Sequence, residues 1–177
     1  MPALEHEGNV LAQSMAILEW LEECYPQPSL LPSYPVARAQ VRSPALLIAC
    51  DIHALNNLRV LTHLRSGLSQ SEDAVNAWYR HWVAEGFTGL EMLARSWSTS
   101  RRHLFNDDIS IADVCLVPQL YGARRFGGDL SAYPTLVAVG TYLESLPAFV
   151  AASASNRRGM TAGYGGGPSQ SNNWQNL

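Results

Sequence analysis

The sequence has no long hydrophobic run, little charge and few cysteines. No apolar stretch reaches the roughly 20 residues that cross a bilayer, so no membrane partner is expected, and no leader pattern precedes the first acidic residues. Charged residues make up 15% of the chain and the net charge is −3, so neither nucleic acid nor an anionic lipid surface is expected as a partner. Three cysteines, Cys24, Cys50 and Cys115, form an odd and widely spaced set. Reduced thiols in a cytoplasmic protein are therefore expected, not a disulfide framework. His6, His63, His81 and His103 show no ligand spacing, so no metal site is expected.

What the chain does have is apolar residues, 47% of 177. That is enough for one ordinary domain, or one domain with a fragment of another. Residues 107–120 organise the rest. Ser110 and Asp113 stand three apart before an apolar run, the spacing of a helix capping box. The Ser110 hydroxyl is expected to accept from the Asp113 amide, and the Asp113 carboxylate to reach back to the Ser110 amide. Ile109 and Val114 fit a hydrophobic staple. Almost no polar side chain follows before Pro118, so this helix is expected to be central and buried on every side. Asp113 is assigned to folding, not to chemistry.

In chain order, residues 1–5 and 10–12 read as two short strands around a turn. A helix follows from Gln13-Ser14 to Cys24, ended by Pro26 and Pro28. Residues 29–35 form a proline-rich linker and mark the expected domain boundary. Pro35 suits the first turn of a long helix running to about Leu64, kinked by Pro44. Ser71 caps the next helix, in which Trp78 and Trp82 read as core. Pro134 and Pro147 start two more. The expected organisation is a β-β-α unit over 1–28, a mainly α domain over 35–152, and a disordered Gly/Ser/Asn-rich tail over 153–177.

Several segments resemble one family. Pro2-Ala3-Leu4-Glu5, Gln13-Ser14-Met15-Ala16-Ile17, the run 51–61 (DIHALNNLRVL), the run 112–119 (ADVCLVPQ), Ala123-Arg124-Arg125-Phe126 and residues 129–134 (DLSAYP) are similar to zeta-class glutathione transferases. That class includes maleylacetoacetate and maleylpyruvate isomerases. The resemblance implies the helical C-terminal bundle of a glutathione transferase over 35–152, and over 1–28 a truncated remnant of a thioredoxin-like domain. The chain begins at the proline that precedes the third strand of that domain. The Ser/Cys-rich motif that activates the glutathione sulfur is therefore expected to be missing.

The resemblance also implies site residues. Gln13 and Ser14 open a helix whose free amides and dipole suit a carboxylate; the family holds the γ-glutamyl end of glutathione there, although a plain helix start explains the pair too. Pro2 resembles the family's cis-proline, which would make Met1 the residue offering its backbone to glutathione. His53 and Asn57, four apart, are expected on one helical face, as glutathione donors, in bacterial relatives from the neighbouring subunit, or as an ordinary interface pair. Arg59 and Arg125 resemble the clamps for substrate carboxylates, where a guanidinium grips bidentately; Arg124 reads as surface charge. The implied activity is glutathione-dependent cis–trans isomerisation of a small dicarboxylate by a homodimer, with glutathione as cofactor. The alternatives are a non-catalytic helical module and a generic glutathione transferase.

Overall fold

The computed structural model describes residues 2–153. Strands β1 (Ala3–His6) and β2 (Asn9–Ala12) pair antiparallel, Ala3 opposite Ala12 and His6 opposite Asn9. Glu7 and Gly8 both have positive φ, 50° and 78°, the requirement of the tight turn that matches strand twist. A two-stranded ribbon is not stable alone, and this one rests on helix α1 (Ser14–Cys24). Helix α1 is in turn held to α2 (Pro35–Leu46) by a two-pronged ion pair: Arg42 Nε and Nη2 reach Glu19 Oε1 and Oε2 at 2.6 and 2.8 Å. The linker is fastened at both sides. Buried Glu22 accepts from Ser29 Oγ at 2.6 Å and Leu30 N at 2.7 Å, and the Leu30 carbonyl accepts from Ile111 N at 3.1 Å.

The long helix expected from Pro35 to about Leu64 is not continuous. Helix α2 passes through Pro44 to Leu46, and the ladder then widens into a π segment, Leu47–Ile52. A short helix α3 (His53–Asn56) stops at Asn57, which is extended at φ −71° and ψ 159°. Helix α4 (Leu58–Thr62) restarts beyond it and runs into a second π segment, His63–Gly67. The break falls at Asn57 because its side chain competes for the backbone on both sides. Its Nδ2 donates to Ala54 O at 2.8 Å and its Oδ1 accepts from Val60 N at 3.2 Å. The apolar periodicity runs through this corner and conceals it.

Helix α5 (Glu72–Trp97) is capped by Ser71 Oγ, which accepts from Ala74 N at 3.2 Å. Its core stripe is Val75, Tyr79, Val83, Phe87, Leu90 and Ala94, one position away from the Trp78/Trp82 pair. Those tryptophans are half-buried and pack edge-on with centroids 5.6 Å apart. Helix α6 (Ile111–Arg125) occupies the centre, touching α2, the first π segment and α7 (Pro134–Glu144). Val41, Phe87, Leu90, Leu116, Leu120 and Leu136 have no exposed surface and form the middle of the core. Fully burying side chains of this size contributes about 1.5–3 kcal/mol each.

One detail of α6 differs from expectation. The helix is not buried on every side: its neighbours cover Ala112, Asp113, Leu116, Gln119, Leu120 and Ala123, but Val114, Pro118, Tyr121 and Arg125 form a row only half-covered or exposed. Apolar content alone does not say which faces have neighbours. The expected capping box is present in both halves, and further bonds reinforce it. Asp113 Oδ2 accepts from both Ser110 N and Ser110 Oγ at 2.8 Å, and the Asp113 amide also lies 3.1 Å from the Ser110 carbonyl. Asp113 Oδ1 also accepts from Leu104 N at 2.8 Å, so one carboxylate ties the preceding loop to the helix start.

The described residues up to Glu144 form one compact unit; beyond it, in a second, lies the short helix α8 (Pro147–Ala152). The disorder expected for the tail concerns residues that lie, from 154 onward, outside the described ones. Among the described residues no helix is long and apolar enough to cross a membrane.

Candidate functional site

The start of α1 has features that suit an anion. Gln13 holds φ 75° and ψ 127°, a left-handed conformation that costs a non-glycine residue of order 1–3 kcal/mol and tends to survive at functional sites. Its amide donates back to the Pro2 carbonyl at 3.2 Å, and its carbonyl accepts the first helical bond, from Ile17 N at 3.0 Å. The amides of Ser14, Met15 and Ala16 precede that bond. The Gln13 side chain makes no cap bond to them, and the first turn carries no acidic residue. Exposed Ser14 adds a hydroxyl at the positive end of the helix dipole. This donor set fits the carboxylate end of a small peptide. Met1, the other residue expected here, lies outside the described residues.

The second element is the corner between α3 and α4. His53 and Asn57 do not share a helical face, because Asn57 has left the helix and caps the next one. His53 opens α3 at the surface, where surrounding protein pushes its imidazole below the usual pKa and favours the neutral form. Arg59 is the second residue of α4 and is exposed, at the rim of an open groove also lined by Leu58, Thr62, His63, Ser66 and Gly67. The corner is pinned to α5. Trp78 Nε1 donates to Leu55 O at 3.0 Å, and Asn56 Nδ2 to Tyr79 O at 3.3 Å.

The third element is α6 itself, which spaces the others. Cys115 Sγ lies 3.9 Å from Met15 Sδ, placing the α1 start against the second turn of α6. Arg125 is the last residue of the helix, ten residues or about 15 Å further along. Beside it, buried Tyr79 stacks on Phe126 with centroids 3.9 Å apart and planes 14° from parallel. Burial raises the Tyr79 pKa, opposed by the Gln119 side chain and by the charge of Arg125. Arg124 points elsewhere, to Glu144 at 2.6 Å.

Comparison with known proteins decides the family. Residues 76–148 match the family "Glutathione S-transferase, C-terminal domain". Over 157 residues the chain is 46% identical to the probable maleylacetoacetate isomerase of Vibrio cholerae, covering 89% of this chain and 72% of that one. The chain belongs to the zeta-class glutathione transferases. Its fold superposes with a TM-score of 0.85 on the holo structure of a bacterial zeta-class maleylpyruvate isomerase, at 43% identity, over 89% of this chain and 74% of the other. It also matches maleylacetoacetate isomerase from Anaeromyxobacter dehalogenans with bound dicarboxyethyl glutathione and citrate, at TM-score 0.82 and 38% identity, over 91% and 72%.

In this zeta-class chain the Cys115 thiol is not a nucleophile prepared for the reaction. Burial and the nearby Asp113 carboxylate push Cys115 up to about 11, and Cys24 and Cys50 stand exposed at the surface. The residues that sequence reasoning missed are supporting ones: Asn56, Tyr79 and Gln119, all buried. A polar residue inside an apolar helical stripe is the signal that was there to be read. Among the described residues no group of three or more His, Cys, Asp or Glu is placed to hold a metal ion.

Proposed function

We propose that this chain serves the glutathione-dependent cis–trans isomerisation of a maleyl keto acid, maleylacetoacetate or maleylpyruvate, with glutathione as cofactor. The observation that carries the reading is the alignment along α6. The uncapped, strained start of α1 lies at its second turn and Arg125 at its end, about 15 Å on. An extended tripeptide spans roughly 10 Å, which leaves about the length of a small dicarboxylate before Arg125.

In this reading the amides and hydroxyl at Ser14, with Gln13, hold the γ-glutamyl carboxylate, and His53 and Asn57 face the peptide from this chain or from the partner of a homodimer. Arg59 and Arg125 hold the substrate carboxylates while rotation takes place, a positioning role. Glutathione bound there supplies a thiolate that adds reversibly to the cis double bond and leaves after rotation about the resulting single bond. The relative with dicarboxyethyl glutathione bound carries a molecule of the kind such an addition makes. We place the protein in the cytoplasm, where reduced glutathione and free thiols coexist.

The test is isomerisation of a maleyl keto acid with and without glutathione. The expected result is weak turnover by the 177 residues alone, since a thiol of pKa about 8.5 is only a few per cent ionised at pH 7. Strong turnover is expected once a relative's N-terminal strand–helix with its Ser/Cys-rich motif is joined on. Robust turnover by the 177 residues alone removes the need for that motif; an inactive joined protein that binds glutathione overturns the isomerase reading.

A further inference from the structure

We infer that one turn of α5, residues 78–80 with Tyr79 at its centre, sets the separation of Arg59 and Arg125 and so selects the dianion the chain accepts. The inference rests on the reading of those two arginines as carboxylate ligands. Both corners that carry them are fixed to this single turn. On one side, Trp78 Nε1 holds the Leu55 carbonyl at 3.0 Å and the Tyr79 carbonyl receives Asn56 Nδ2 at 3.3 Å. Asn57 then locks the corner through Ala54 and Val60, so Arg59 starts from a fixed backbone. On the other side, the Tyr79 ring lies flat on Phe126, the residue after Arg125, and Arg80 Nη1 reaches the Phe126 carbonyl at 3.4 Å.

The contact with α6 is close enough to depend on a glycine. A Cβ at Gly122 would run into the Tyr79 hydroxyl, whereas the ring carbon behind that hydroxyl would stay at an ordinary 3.5 Å. Tyr79 has the rigidity the role requires: it is 7% exposed and anchored through its backbone carbonyl and its ring face. Two guanidiniums held at a fixed distance reward a ligand with two carboxylates at a matching distance and give little to one with a single charge. A shift of this turn moves one arginine relative to the other without touching either.

The experiment measures maleate and monomethyl maleate binding to the 177-residue chain by calorimetry, with folding followed by circular dichroism. Gly122→Ala is expected to weaken maleate about tenfold, the loss of one charge-assisted grip, and to leave the monoester within about twofold. Adding Tyr79→Phe to Gly122→Ala removes the clashing hydroxyl and is expected to restore maleate binding. Tyr79→Leu, which removes the flat contact without crowding α6, is expected to weaken maleate selectively as well. If Arg125→Ala weakens maleate but Tyr79→Leu does not, or if the double variant folds and stays weak, the inference is overturned and the carboxylate reading stands. If the wild-type chain shows no saturable maleate binding, or Arg125→Ala binds like wild type, the carboxylate reading fails and takes the inference with it.

Discussion

Glu91 on α5 caps the start of α7 through Thr135. Its Oε1 accepts from Thr135 N at 3.1 Å and its Oε2 from Leu136 N at 3.0 Å, and Arg95 Nε binds Oε1 at 2.9 Å. Helix α7 begins at Pro134, so these are amides without a helical partner, supplied here by an acid 44 residues upstream. Glu91→Ala leaves both in a buried place and is expected to cost about 2–4 kcal/mol. A shift in the urea midpoint at pH 7 measures it. Glu91→Gln keeps one acceptor and is expected to cost less.

Two buried carboxylates, Glu91 and Asp113, respond to acid in opposite directions. Burial tends to raise the Glu91 pKa, but the bonds from Leu136, Thr135 and Arg95 outweigh it and hold it below the usual range. Its contribution is therefore present above the unfolded pKa and is lost as pH falls through the lower folded value. Burial raises the Asp113 pKa, and its three bonds with Leu104 and Ser110 only partly offset this. Stability from this group is full below its unfolded pKa and declines as pH rises through the higher folded one. Denaturation between about pH 3 and 6 should thus lose less stability on acidification in Glu91→Gln than in wild type, and more in Asp113→Asn. The reverse order would show that one of the two environments is misassigned.

Asp113→Ala removes more than a helix cap. The Ser–x–x–Asp spacing accounts for the bond to the Ser110 amide, but the bond to Leu104 depends on where the loop over residues 98–109 returns. The loss is expected to reach about 2–4 kcal/mol, above the usual range for a cap, and any loss of activity should track the loss of folded protein.

What the sequence made legible follows from local rules. Pro35, Ser71, Ser110 and Pro134 mark helix starts through side-chain chemistry that needs no knowledge of neighbours, and all four begin helices where expected. The corner at Asn57 was missed because its apolar positions continue through the break, and the two bonds that make it are invisible to periodicity. Trp78 and Trp82 read as core from their helical spacing, but the face that α5 buries is centred one position on, at Tyr79. Near the site, Gln13 and Ser14 were legible as a helix start. The strain at Gln13, and the distance between that start and Arg125, depend on packing between α1 and α6.

The ion pair between Glu19 and Arg42 fastens α1 to α2. The Arg42 hydrogen bonds hold the Glu19 carboxyl below its usual pKa. Each side chain is about a third exposed, so solvent screens much of this, and the coupling in a double-mutant cycle of Glu19→Gln and Arg42→Gln is expected at about 1 kcal/mol or less. Its larger effect should be on glutathione, because a loosened α1 no longer presents Ser14 against α6. Unchanged glutathione affinity in Glu19→Gln would show that the Met15–Cys115 contact alone is sufficient.

The start of α1 gives a test in which stability and binding move apart. Ser14→Asp places an anion in the first turn, where none stands now. The helix dipole favours it, so the fold should gain about 0.3–1 kcal/mol, read as a higher melting temperature. The same anion would face the γ-glutamyl carboxylate at about 4 Å. Repulsion there is worth about 1–4 kcal/mol between water-like and surface dielectric, or a fall of about tenfold or more in glutathione affinity by calorimetry. Ser14→Ala loses only the hydroxyl and should weaken glutathione by less, with the amides still in place. A plain helix start would give the stability gain with no loss of glutathione binding, because no ligand carboxylate would be there to repel. A protein that is both more stable and a poorer glutathione binder therefore identifies Ser14 as part of the site; equal affinity in Ser14→Asp and wild type would remove it.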